Sequence, residues 1–199
     1  LRNPVGMAWH SPTDTLWTVV NERDQLGNDL VPDYLAHVNE GDDFGWPAHY
    51  WGILQDPRVT RDWGSQSSVD IEDESRSKTP SAGAGSDQGH SEGKSIRPRR
   101  IPNYALGAHT ASLGLTFYSN PSIPSLKNHA IVTQRGSWNR NPPSGYQVIA
   151  FEVTESGEAR GTAKPLLKGF LSKSGEAKGR PVGVITDKHG GLLIADDVG

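Results

Sequence analysis

The chain has 199 residues and a formal net charge of -3, with no basic stripe of the kind that follows a nucleic-acid backbone. It has no cysteine, which excludes a disulfide framework, a cysteine-ligated zinc site and a thiol nucleophile. Only 34% is hydrophobic, and the 23 Gly, 14 Pro and excess of six Trp over four Phe suit many short strands and tight turns better than a helical bundle. No apolar run reaches the roughly 18 residues of a membrane-crossing helix.

The first element is "RNPVGMAWHSPTDTLWTVV", a glycine in an apolar strand, a polar turn with Pro and Asp, and a second apolar strand, which is the pattern of a hairpin. The loop that follows, "NERDQLGNDLVPDY", gathers Asn21, Glu22, Asp24, Asn28, Asp29 and Asp33. Such a loop either offers oxygens to Ca²⁺ or is a solvated acidic surface. "GWPAHYWG" then supplies Trp46, Tyr50 and Trp51, whose expected role is packing of one sheet against the next.

Residues 62–100 are rich in Ser and Gly with mixed charge and almost no apolar side chains. They bury too little surface to offset their ordering entropy and read as a mobile polar insertion. The stretch "YALGAHTASLG" places His109 and Thr110 ahead of a strand, where the pair either meets a ligand or braces a turn.

The hairpin pattern recurs in "SLGLTFYSNPSIPSLKNHAIVTQ" and in "PVGVITDKHGGLLIADD". Between these two, "GSWNRNPPSGY" adds Trp138 and Tyr146, and "EAKGRPVG" puts Lys178 and Arg180 two residues apart. On an extended segment both cations face one side, as a ligand with several carboxylates requires or as two solvated edge charges do.

Three hairpin units, none able to close a core alone, predict an all-β fold of the β-propeller type, here a partial ring of about three blades. Arg2 and Arg180 stand at nearly equivalent places in the first and third units, each before a Pro-Val-Gly. Equivalent loops of a propeller converge on its axis, which predicts that both arginines face one pocket. No Gly-x-Ser-x-Gly elbow, phosphate loop or dinucleotide fingerprint is present.

Taken in order, "RNPVGMAWH", "LWTVVNERDQLGNDLVPDY", "FGWPAHYWG", "NYALGAHTASLGLTFY", "GSWNRNPPSGY" and "KGRPVGV" resemble the sorbosone dehydrogenase branch of the soluble quinoprotein glucose dehydrogenase family, in its C-terminal half. The resemblance implies a six-bladed propeller in the complete fold, with pyrroloquinoline quinone (PQQ) and Ca²⁺ as cofactors. It implies oxidation of a sugar, aldose or sorbosone by an oxidoreductase that passes electrons to an external acceptor. A periplasmic or secreted location follows from the resemblance too, although the chain itself shows no signal peptide.

Residue by residue, the resemblance makes Arg2 and Asn3 quinone contacts, with Arg2 at the carbonyls that receive the hydride. It puts Glu22 and Arg23 where two main-chain carbonyls bind calcium, Thr110 at the cofactor, and Lys178 and Arg180 at its carboxylates. Either Arg135 or Arg140 would add a further cation. Ala108 and His109 depart from the glucose-oxidising branch, and Lys178 replaces an expected arginine.

The family's general base is a histidine with no match among these residues, so the chain alone is expected to be inactive. Half a ring also leaves two open blade edges, which invite self-association into homo-oligomers. The rival readings are a calcium-dependent hydrolase of the lactonase type, with carboxylate or amide ligands, and a non-catalytic sugar-binding propeller.

Overall fold

The computed structural model of the chain describes residues 1–59 and 99–197. Strands β1 (Asn3–His10), β2 (Thr15–Asn21) and β3 (Pro32–Val38) form an antiparallel meander, and β6 (Tyr104–Ala108) completes it as a four-stranded sheet in the order β1-β2-β3-β6. The short hairpin β4 (His49–Tyr50) and β5 (Leu54–Gln55) lies between β3 and β6 in sequence. A second four-stranded sheet follows from β7 (Ser112–Tyr118), β8 (His129–Gln134), β9 (Gln147–Val153) and β10 (Ala159–Leu167). The hairpin β11 (Pro181–Thr186) and β12 (Leu192–Asp196) begins a third. This is a β-propeller sector of two complete blades and the inner half of the next.

The expected insertion at 62–100 lies outside the described residues except for Arg99 and Arg100. Those two are held in place: Arg100 donates from its backbone to the Asp43 carbonyl and pairs with Asp42, and Arg99 pairs with Asp43. No helix among the described residues is long and apolar enough to cross a membrane.

Side-chain alternation explains how the blades stack. In the second blade, Ala130, Val132, Ile149, Phe151 and Val153 point to the first blade and join Trp17, Val19 and Leu35. The intervening Ile131, Val148 and Ala150 point the other way and meet Val184 of the third hairpin. A sheet buried on both faces needs apolar residues at successive positions, which is why β8 and β9 read as continuous runs. The end strands have one uncovered face, and there Met7, Trp9, Ile185 and Leu193 are exposed.

The glycine that recurs in each hairpin sits in an inner strand, where blades approach most closely. A β-carbon on Gly6 would lie 2.1 Å from the Leu113 carbonyl oxygen, and one on Gly114 would lie 3.0 Å from the α-carbon of Gly183. All three inner strands shift register at this point, between Pro4 and Met7, between Ser112 and Leu115, and between Pro181 and Gly183. A bulge here bends the strand beside its neighbour and turns its N-terminal end toward the axis.

Gly6→Ala is therefore expected to lower stability by about 3 kcal/mol through overpacking against rigid backbone. Gly183→Ala, whose β-carbon would meet only the Ala195 methyl at 3.4 Å, should cost under about 1 kcal/mol. Urea unfolding midpoints of the two variants check the contrast, and equal losses would contradict it.

Candidate functional site

Asp33, buried in β3, connects the loop after β2 to the start of β7. Its Oδ1 accepts the Glu22 backbone N–H at 3.0 Å, and its Oδ2 accepts the Ser112 N–H at 3.0 Å and the Thr110 hydroxyl at 3.0 Å. Burial pushes its carboxyl up to about 6, against the opposing pull of these hydrogen bonds. Asn21 adds a second connection, donating its side-chain amide to the Ser112 carbonyl. The loops ahead of β3 and β7 thus come together at one end of the sector.

Arg2 enters this end from the start of β1. Its Nη1 donates to the carbonyls of Asn21 at 3.2 Å and Glu22 at 2.9 Å, and its guanidinium carbon lies 5.8 Å from the Trp46 ring centre. Two cavities meet at this guanidinium. The larger, of about 490 Å³, is lined by Arg2, Arg23, Asp24, Trp46, Asp56 and Arg58 among others. The smaller, of about 80 Å³, is lined by Arg2, Asp24, Asp33, His109, Trp138 and Asn139 among others.

Arg180 stands at the equivalent point before β11. Its guanidinium carbon lies 5.0 Å from the centre of the Tyr146 ring, and its Nη1 is buried without an acceptor among the described residues. Tyr146 in turn packs against Gly136, whose N–H donates to the Thr110 carbonyl, so Arg180 borders the same loop as Asp33. Seven other described arginines each pair with a carboxylate. Among the described arginines, only the guanidinia of Arg2 and Arg180 have no ion-pair partner, although the Arg180 backbone N–H donates to the Asp196 carboxylate at 2.9 Å.

The remaining expected site residues are placed differently. Thr110 is buried with its hydroxyl committed to Asp33 and beside the Ser112 hydroxyl, so His109 and Ala111, not Thr110, face the small cavity. Asn3 is exposed at the first position of β1, paired across the sheet with Asn21. The chain bends at Lys178, so the expected same-side pair on an extended segment does not form. Lys178 is exposed while Arg180 is half-buried over Tyr146. Arg135 and Arg140 are engaged with Asp197 and Asp29.

The oxygen-rich loop is also committed. Glu22 holds Arg23, Asp29 holds Arg140, Asp33 holds backbone, and Asn28 bonds the 140s loop. No group of three or more His, Asp or Glu side chains among the described residues could hold a metal ion. Arg23, buried, donates to Glu22, Asp56 and the carbonyls of Pro47 and His49. The Glu22 carbonyl faces the Arg2 guanidinium at 2.9 Å, and Ca²⁺ bound at the usual 2.3–2.6 Å or so from that oxygen would stand against this positive charge. The Glu22 carbonyl is thus taken by Arg2 rather than turned to an open cation site.

Sequence reasoning names Asp24 only as one oxygen-bearing residue among several in its loop, and it gives three more residues of the site no place there. Trp46 and Trp138 fall in aromatic stretches expected to pack between blades, yet they are 44% and 76% exposed and line the cavities. Asn139 reaches Asp24 from 115 residues away, a separation no local pattern announces.

A family model described as TrAA12-like matches residues 1–199. The chain belongs to the TrAA12-like family. Over 202 aligned residues it is 28% identical to an uncharacterised protein of Borreliella burgdorferi, covering 100% of this chain and 45% of that protein.

Among solved structures it is similar to the calcium structure of a Trichoderma reesei carbohydrate-active enzyme of family AA12, with TM-score 0.63 and 18% identity over 99% of this chain and 50% of that one. It is also similar to the holo form of the pyranose dehydrogenase PQQ domain from Coprinopsis cinerea, with TM-score 0.62 and 21% identity over 99% and 52%. The chain spans about half the length of these relatives.

The Asp33 arrangement predicts that its carboxyl carbon titrates near pH 6 by NMR. A raised folded-state value means that its contribution to stability is present at pH 4 and declines as pH rises to 6. Thr110→Val removes a donor that favours the anion and should move the midpoint higher. A midpoint at or below 4 in the unaltered protein would contradict this description.

Proposed function

We propose that the chain is the cofactor-holding part of a PQQ-dependent sugar dehydrogenase. One observation carries the reading: Arg2 and Arg180, at the starts of the first and third inner strands, are the described arginines whose guanidinia have no carboxylate in ion-pair contact. An unpaired guanidinium is costly unless a ligand supplies the anion; Arg2 lines both described cavities, while Arg180 lines neither of them and offers its buried Nη1. PQQ carries three carboxylates and two adjacent quinone oxygens, which suits a pair of separated guanidinia. The family match and the likeness to a pyranose dehydrogenase PQQ domain support the same assignment.

In this reading Arg180 holds a cofactor carboxylate with its unpaired Nη1, and the Tyr146 ring backs the guanidinium. Arg2 stands in both cavities, its Nε and Nη2 without hydrogen-bond partners among the described residues, and there stabilises negative charge on the reacting oxygens. When bound, the quinone supplies the two-electron acceptor chemistry that no amino-acid side chain provides. Trp138 and the part of the Trp46 ring that Arg23 and Arg2 leave uncovered offer apolar surface to a sugar in the adjoining cavities. The substrate is an aldose or sugar aldehyde, with an external electron acceptor and a periplasmic or secreted location. No step is assigned to calcium.

Binding of PQQ, followed by its absorbance, tests the reading in the intact protein. Arg2→Ala and Arg180→Ala are each expected to weaken affinity by about tenfold or more, since a charge-assisted hydrogen bond contributes about 1.5–3 kcal/mol. The double variant should show no measurable binding. Arg160→Ala, on exposed β10 and paired with Glu158, should leave affinity within about threefold. Equal effects at all three positions would overturn the clamp.

A further inference from the structure

We infer that residues 138–143, the tip of the loop between β8 and β9, form a lid over the Arg2 end of the site, latched by Arg140 and Asn28. The inference rests on the PQQ reading above and adds to it the way the quinone enters.

The root of this loop is rigid. The Ser137 N–H donates to the Ser144 carbonyl at 2.9 Å, the Ser144 N–H to the Ser137 hydroxyl at 3.0 Å, and the Tyr146 hydroxyl to the Ser137 carbonyl at 2.6 Å. The Ser144 hydroxyl also donates to the Ala108 carbonyl at 3.0 Å. Packing is close here too: a β-carbon on Gly136 would lie 2.5 Å from the Tyr146 ring, and one on Gly145 would lie 2.6 Å from the Thr110 carbonyl oxygen.

The tip is held differently. None of the apolar clusters among the described residues contains a residue of 138–143, and Trp138 is 76% exposed. Polar contacts to the loop after β2 fasten it instead. Arg140 Nε donates to the Asn28 carbonyl at 2.8 Å, and Arg140 Nη2 donates to Asp29 Oδ1 at 3.0 Å. The Asn28 amide donates back to the Asn141 carbonyl at 2.8 Å, and the Asn139 amide donates to Asp24 Oδ1 at 2.8 Å. The three bonds around Arg140 and Asn28 are solvent-exposed, where water competes for both partners. A segment without buried apolar contacts, held through exposed hydrogen bonds, opens readily.

The receiving loop is anchored from within. Buried His109 meets Asp24 Oδ1 at 3.1 Å and the Gly27 carbonyl at 2.8 Å, and Arg58 donates to the Asp24 carbonyl at 2.6 Å. The tip is therefore the part that moves.

Trp138 and Asn139 line the small cavity together with Arg2, Asp24 and His109. With the tip latched, that cavity has about 80 Å³, well under the roughly 300 Å³ at which pockets for organic ligands begin. Arg180 packs on Tyr146 at the foot of the same loop, so a ligand that touches both guanidinia runs along it. Lifting the tip joins the small cavity to the larger one at Arg2 and admits such a ligand. Re-latching returns Trp138 and Asn139 to its side and shuts out water.

The test follows PQQ association and dissociation rates by stopped-flow absorbance in the intact protein. Arg140→Ala removes the latch and should raise both rates by about fivefold or more, with Kd within about threefold. Loss of a residue that grips the quinone changes Kd instead. Arg160→Ala, which breaks an exposed pair on β10, should change neither rate. The chain has no cysteine, so Asn28→Cys combined with Asn141→Cys puts one thiol on each side of the latch. Joined by oxidation, the two should slow PQQ association by about tenfold or more, and reductant should restore it.

In quinone-free protein, Arg140→Ala should speed amide hydrogen exchange across residues 138–143 by about fivefold or more while β8 and β9 keep their protection. PQQ binding with rates unchanged in Arg140→Ala, or exchange at 138–143 unchanged, would overturn the lid. Absence of PQQ binding in the unaltered protein would overturn the reading on which it rests, and the exchange result would still decide whether the tip is latched.

Discussion

The buried carboxylate of Asp33 is the constraint on which the site depends. Taking an acid out of water is expensive, and three donors from two separate segments offset that cost: the N–H of Glu22, the N–H of Ser112 and the hydroxyl of Thr110. Because those donors come from the loop after β2 and the entry to β7, one side chain fixes the relation of two neighbouring blades at one end. Arg2 then finds the carbonyls of Asn21 and Glu22 presented to it, and His109 is delivered to Asp24.

The blade packing adds a second constraint of a different kind. Inner strands approach so closely that glycine is needed at Gly6 and Gly114, and the bulge at that position recurs in each unit. The repeat thus reproduces one backbone geometry three times while the residue just ahead of each inner strand is free to vary. Arg2 and Arg180 occupy that position before β1 and β11. Neither guanidinium meets a carboxylate there, because Asp29, Asp56 and Asp197 are engaged with other arginines, Asp33 with backbone and a hydroxyl, and Asp24 with His109.

Much of the fold is legible in the sequence because its signals are local. Glycine, an apolar strand, a Pro- or Asp-containing turn and a second strand define each hairpin within about 25 residues, and the near-equivalence of Arg2 and Arg180 is visible once the repeat is seen. What is not legible depends on long-range partners. Nothing near Thr110 in sequence says that its hydroxyl is committed to Asp33, 77 residues away, and nothing near Lys178 says that the chain bends there. Spacing arguments about shared faces hold only where the strand is regular, and they fail at loop ends. Tryptophans divide in the same way: Trp17 is buried between blades, while Trp46 and Trp138 are held open by loops.

The most direct test of the account is a crystal structure of the intact protein with PQQ. The account predicts the cofactor at the blade end that bears Asp33, with its oxygens within hydrogen-bonding distance of both the Arg2 and Arg180 guanidinia and Arg180 Nη1 no longer without an acceptor. Cofactor bound elsewhere, or bound with either guanidinium untouched, would contradict it.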